Sequence, residues 1–140
     1  NELWIYYFGD NQDHDGFVDP AASQRRMAID RAILRVDGFV SADAAYTGGE
    51  LVTPLLTFAG SNLELNVDPG AGGSIRVELL DASDQPIQGF GWEEARALYE
   101  NHVCLPVTWR ANRSVASLAG KPIKIRFLMR DCRLYAFQFR

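Results

Sequence analysis

Three observations predict an all-β chain: period-two alternation of apolar and polar residues, short apolar runs punctuated by Gly and Pro, and no recurring helical pattern between those runs. The expected architecture is a two-sheet antiparallel β-sandwich, jelly-roll or concanavalin-like, with about eight or nine strands and one short helix. The clearest alternation lies in residues 62–81, NLELNVDPGAGGSIRVELLD. Leu63, Leu65 and Val67, then Ile75, Val77 and Leu79, fall on one face, with Glu64, Asn66, Ser74, Arg76 and Glu78 on the other. The intervening DPGAGG holds Pro69 and three glycines able to take positive φ, so this stretch is expected to be a hairpin with one dry and one wet face. A half-buried hairpin needs a second apolar layer, which is the argument for a sandwich.

Residues 3–8, LWIYYF, are aromatic and β-branched and suit a strand. A polar loop, DNQDHDGFVDPAA, follows at residues 10–22. Met27, Ile29, Ala32, Ile33 and Val36 fit a helical stripe, whereas Ala32, Leu34 and Val36 alternate as a strand; the Asp37–Gly38 turn favours the extended reading for residues 28–36. Residues 51–58, LVTPLLTF, are strand-like, with Pro54 marking an edge or bulge. Residues 87–90 are expected to form a short strand. Residues 91–100, GWEEARALYE, are the helix candidate, with Trp92, Ala95 and Leu98 in a stripe and Glu93 and Glu94 at its start. Residues 102–109, HVCLPVTW, return to period two, and Val115 and Leu118 anchor the loop beyond. Two strands joined tightly at Asp131, Cys132 and Arg133 end the chain, placing Ile125, Phe127 and Phe137 in the core. The expected organisation is an N-terminal strand and acidic loop, 1–26, followed by a β-sandwich domain, 27–140.

Composition narrows function. A chain of 140 residues with 47% hydrophobic and 23% charged content has the makeup of one globular domain. Its net charge of -4 opposes a nucleic-acid partner, despite Arg25, Arg26, Arg31 and Arg35, because Asp30 and Asp37 are interleaved among them. No apolar run approaches the length of a bilayer span, so no membrane partner is expected. The opening NELWIYYFGD has no initiator Met and reads as the start of a processed or excised segment. Cys104 and Cys132 form neither a disulfide framework nor a CxxC; they either pair across adjacent strands or sit as buried thiols.

No GxSxG, HExxH, GxGxxG or P-loop occurs, and no catalytic residue is assigned. His14 and His102 lack a third partner at recognisable spacing. The loop NQDHDGFVD imitates a calcium loop, with Asn11, Asp13, Asp15 and Asp19 as oxygen ligands and Gly16 at the bend. Ala22 stands where the bidentate Glu belongs, so a plain acidic surface loop is the competing reading and no other cofactor is expected. Exposed rings could build a sugar platform, with Trp4, Tyr6, Tyr7, Trp92, Tyr99 and Trp109 as candidates.

NELWIYYFGD, RRMAIDRAILRVDGFVSADA and GGELVTPLLTFAGSNLELNVDPGAGGSIRVELLDASDQPIQGF, with the ending PIKIRFLMRDCRLYAFQF, together carry a family resemblance. DGFVSADA, LTFAGSNLELNVD and LYAFQF are its most specific phrases. The chain resembles the C-terminal β-sandwich behind a five-bladed β-propeller in bacterial proteins related to glycoside hydrolase families 32 and 43. That resemblance implies that LWIYYFG is the last strand of a propeller lying outside this chain and that the sandwich packs on that propeller. It also implies that the catalytic carboxylates lie in the propeller and that the location is extracellular or periplasmic. The expected function is then a non-catalytic accessory or structural module. The alternatives are a carbohydrate-binding module, which demands an exposed ring beside Asn, Asp or Arg in a concavity, and a free-standing glycosidase. Self-association through the N-terminal strand is a further expectation.

Overall fold

The computed structural model describes residues 1–11 and 26–140. Among these the chain is all-β, with two antiparallel sheets of two and five strands and a single three-residue 3-10 turn at Ala116–Leu118. It divides into two compact units, Asn1–Gly38 and Phe39–Arg140. No helix among the described residues is long and apolar enough to cross a membrane.

The first unit is a ribbon of β1, Glu2–Asp10, and β2, Met27–Arg35, paired without a register break from Glu2 opposite Arg35 to Asp10 opposite Met27. The extended reading of the ambiguous second segment is therefore the observed one, and β1 and β2 share a unit that runs on past residue 26 to Gly38. One face carries Trp4, Tyr6, Phe8, Ile29 and Ile33, and the other carries Leu3, Ile5, Ala28, Ala32 and Leu34. Trp4, Tyr6 and Phe8 are all at least half exposed.

In the second unit, β3 is Ala42–Ala44, β4 Gly49–Val52, β5 Leu63–Leu80, β6 His102–Pro106 and β7 Lys124–Phe139. The sheet order is β3-β7-β5-β6, with β4 also on β7. Two expected hairpins are absent. Residues 63–80 form one long strand, and so do residues 124–139, the DPGAGG and Asp131–Arg133 segments lying inside them. Both halves of β5 pair with β7, as in Leu65 opposite Phe137 and Val77 opposite Phe127. Between these halves, Pro69 to Ser74 on β5 is set against only Cys132 to Arg130 on β7, a large bulge. None of Gly70, Gly72 and Gly73 has a positive φ; on the opposite strand Asp131 does, at 42°. Glycine is needed there for close approach: a Cβ on Gly73 would lie 2.0 Å from the Asp131 carbonyl oxygen, and one on Gly70 would strike the Asp131 carboxylate.

The bulge folds the ribbon over on itself. Ten residues of straight strand span about 33 Å, yet the rings of Phe127 and Phe137 lie 5.5 Å apart. Similarly, the Val107 N–H donates to the Leu63 carbonyl at 2.9 Å while Trp109 Nε1, two residues on, donates to the Val77 carbonyl at 3.0 Å. The two halves thus form sandwich-like layers around one core that holds Leu63, Leu65, Val67, Ile75, Val77, Leu79, Ile125 and Phe127. Phe137, expected among them, lies at the rim and is 36% exposed.

The expected helix at 91–100 is not formed. Its one turn is the Ala95 N–H shared between the Gly91 and Trp92 carbonyls, after which Ala95 bridges Trp109 and Leu98 bridges Ile75. Two helical turns are weak alone, and the sheet edge supplies partners to this backbone. Residues 87–90 also form no strand; they turn around Leu79, whose N–H donates to the Phe90 carbonyl and whose carbonyl accepts from Ile87. Pro54 follows edge strand β4 and Pro106 ends edge strand β6, as prolines lacking a ladder donor should. Val115 and Leu118 are buried anchors.

Candidate functional site

The alternation that turns Ile75, Val77 and Leu79 of β5 and Ile125, Phe127 and Met129 of β7 into the core puts the residues between them on the opposite face, where Glu78, expected on a wet face, is nevertheless buried. Arg76 stands opposite Leu128, which faces Glu50 of β4; Ser74 stands opposite Arg130, and Glu78 opposite Arg126. This outer face floors a cavity of about 540 Å³ lined by Thr47, Glu50, Ser74, Arg76, Trp92 and Arg130, among others. Trp92 is 44% exposed, and the Arg76 guanidinium lies over its ring at 4.9 Å. Tyr46 flanks the same region, with the Arg130 guanidinium 3.9 Å over its ring. Gly72 makes room for that phenol, since a Cβ there would meet Tyr46 Cε2 at 3.3 Å.

Buried Glu78 fixes the loop that carries Trp92. Its Oε1 accepts the Trp92 backbone N–H at 3.0 Å, and its Oε2 accepts Arg126 Nη1 at 2.8 Å. Beside this cavity, Arg76 also borders a pocket of about 380 Å³ with Glu93, Glu94, Arg96, Arg110 and Arg113. The two glutamates expected at a helix start thus face arginines in a groove.

A further cavity of about 540 Å³ is lined by Asp43, Asp68, Asp131, Cys132 and Arg133. Ser41 Oγ donates to Asp43 Oδ1, and Arg133 Nε lies 3.9 Å from Asp43 Oδ2. Burial first, then Asp68, Asp131 and Asp43, push the Cys132 thiol up to about 11. Burial and the three carboxylates thus favour the neutral thiol over the thiolate at Cys132. Both cysteines are free; Cys104 Sγ receives Gln138 Nε2 at 3.6 Å.

Of the expected calcium ligands, Asp13, Asp15 and Asp19 lie outside the described residues, as does His14. Asn11 is described, and its Oδ1 accepts the Arg26 backbone N–H at 2.7 Å, closing the end of the ribbon. His102 Nδ1 accepts the Cys104 N–H at 3.0 Å. The platform candidates separate: Trp109 is core and packs edge-on against Phe90, Trp4, Tyr6 and Tyr7 belong to the ribbon, Tyr99 is exposed, and Trp92 alone lines the cavity. Tyr46 was not legible as a site residue; it sits in a polar loop, and its only signal was the TGGE that follows. No family model, no curated protein and no solved structure matches the chain.

Proposed function

We propose that this chain is a non-catalytic module of a glycoside-hydrolase-like protein and that its Phe39–Arg140 unit binds carbohydrate on the outer sheet face. One observation carries the binding reading: Trp92 is an exposed indole in a concavity whose walls include Arg76, Thr47 and Glu50. A flat apolar ring suits the C–H face of a pyranose, and the polar groups around it suit the hydroxyls at its edge. The glycoside-hydrolase context rests on the sequence resemblance. A purely structural accessory role is the second reading, favoured by the ribbon of Asn1–Gly38, whose two apolar faces suit a sheet that is covered on both sides.

A glycan array of the whole chain followed by calorimetry separates the two. Saturable binding at millimolar affinity or better, lost in Trp92→Ala, supports the binding module. Absence of any glycan ligand, with the protein folded, leaves the structural module.

A further inference from the structure

Arg76 and Arg130 are the unusual members of the Trp92 cavity. They are diagonal neighbours across β5 and β7, since Arg76 faces Leu128 and Arg130 faces Ser74, so both guanidinium groups project from one face within reach of a common point. Each is held over an aromatic ring, and among the described residues neither has an ion-pair or hydrogen-bond acceptor for its side-chain N–H groups. The adjoining pocket that shares Arg76 adds Arg96, Arg110 and Arg113 together with Glu93 and Glu94, with no carboxylate at ion-pairing distance from these arginines among the described residues. On a chain of net charge -4, the two pockets together carry five arginines against Glu50, Glu93 and Glu94, a local excess of positive charge.

An arginine braced on a ring keeps its in-plane N–H fork free, and that fork matches a planar carboxylate in two parallel hydrogen bonds. A neutral sugar would satisfy the indole and leave these donors to water. Building on the carbohydrate reading of Trp92, we propose that the cavity is specific for a uronate: the pyranose stacks on Trp92 while its carboxylate is received by Arg76 and Arg130, and Glu50 accepts a hydroxyl of the same ring. The neighbouring arginines place the next anionic residues of an acidic polysaccharide along the groove. A nucleic acid offers phosphates and bases instead; the single accessible indole in a cavity with Glu50 on its wall suits one saturated ring better than a run of stacked bases.

The test is calorimetry of the whole chain with tetragalacturonate, a neutral galactotetraose and a dT oligonucleotide. The uronate is expected to bind about tenfold or more tightly than the neutral sugar, as one charge-assisted pair warrants. Arg130→Gln, at an exposed position, should lower the affinity for the uronate far more than that for the neutral sugar and so remove most of that preference, while Trp92→Ala should weaken both. Equal affinity for the two sugars, lost in Trp92→Ala, overturns the uronate assignment and keeps the carbohydrate reading. Comparable binding of the oligonucleotide overturns it in favour of a general polyanion surface, and absence of binding to either sugar overturns both readings.

Discussion

Gly73→Ala tests the folded-over ribbon directly. Gly73 has an ordinary negative-φ or extended backbone, so alanine is not excluded by conformation. Space excludes it: the new Cβ would lie 2.0 Å from the Asp131 carbonyl oxygen, 2.7 Å from the Gly70 nitrogen and 3.0 Å from the Arg130 carbonyl oxygen. All three are backbone atoms of the bulge, and the two strands must part by about 1 Å to reach the shortest tolerable contact. Overpacking of that kind costs about 3 kcal/mol or more. Lost freedom of the unfolded chain returns about 0.4–1 kcal/mol, so the net destabilisation is about 2–3 kcal/mol, a large share of the 5–15 kcal/mol typical of a domain. Gly49→Ala is the control within the same unit, because its Cβ would meet only the Ala44 methyl at an ordinary 3.7 Å. Urea titrations followed by near-ultraviolet circular dichroism measure both. If Gly73→Ala is no less stable than Gly49→Ala, the close approach at the bulge is not what these glycines serve.

Five further outcomes are expected. Glu78→Gln leaves one amide group to serve both the Trp92 N–H and the Arg126 guanidinium, costing about 1–3 kcal/mol by chemical denaturation and weakening any ligand that needs Trp92 in place. Val77→Asp puts an unpaired charge at a fully buried position and should cost several kcal/mol; a protein that stays folded and equally stable would contradict the core described above. Iodoacetamide at pH 8 should label Cys104 well before Cys132, as mass spectrometry of the modified peptides reads out. Between pH 9 and about 11 the unfolded chain releases the Cys132 proton while the folded chain keeps it, so stability falls as pH rises through that window, a decline that Cys132→Ala reduces. Light scattering at high concentration tests the bare β1–β2 faces: concentration-dependent association, reduced by Tyr6→Lys, is the outcome expected of exposed aromatic strands, and a strict monomer removes self-association.

Alternation in the sequence determined which residues of the long strands face the core. Leu63, Leu65, Val67, Ile75, Val77, Leu79, Ile125 and Phe127 read correctly because a period of two follows from the pleat and is a local property, whereas Asn66 and Glu78, expected on the wet face, are covered by other parts of the fold and buried. The apolar strand at β1 and the edge marked by Pro54 were legible locally as well, through side-chain chemistry and a missing backbone donor. The pairing was not. A hairpin and a folded-over strand present the same alternation on either side of DPGAGG, and the choice between them depends on whether the two halves meet each other or both meet β7, whose paired residues lie 44 (Leu80 to Lys124) to 76 (Leu63 to Phe139) positions further along the chain. The glycines misled for a related reason: their sequence permits positive φ and close approach equally, and only the Asp131 backbone packed against Gly73 decides between them. Likewise the helical stripe at 91–100 had to compete with backbone partners on Ile75 and Trp109 that its own residues do not announce. The site inherits this division. Trp92 could be named from the sequence as a candidate ring, but its exposure beside Arg76, and the approach of Tyr46 and Arg130 from other elements, arise only when the bulge folds the sheet and Glu78 fixes the loop.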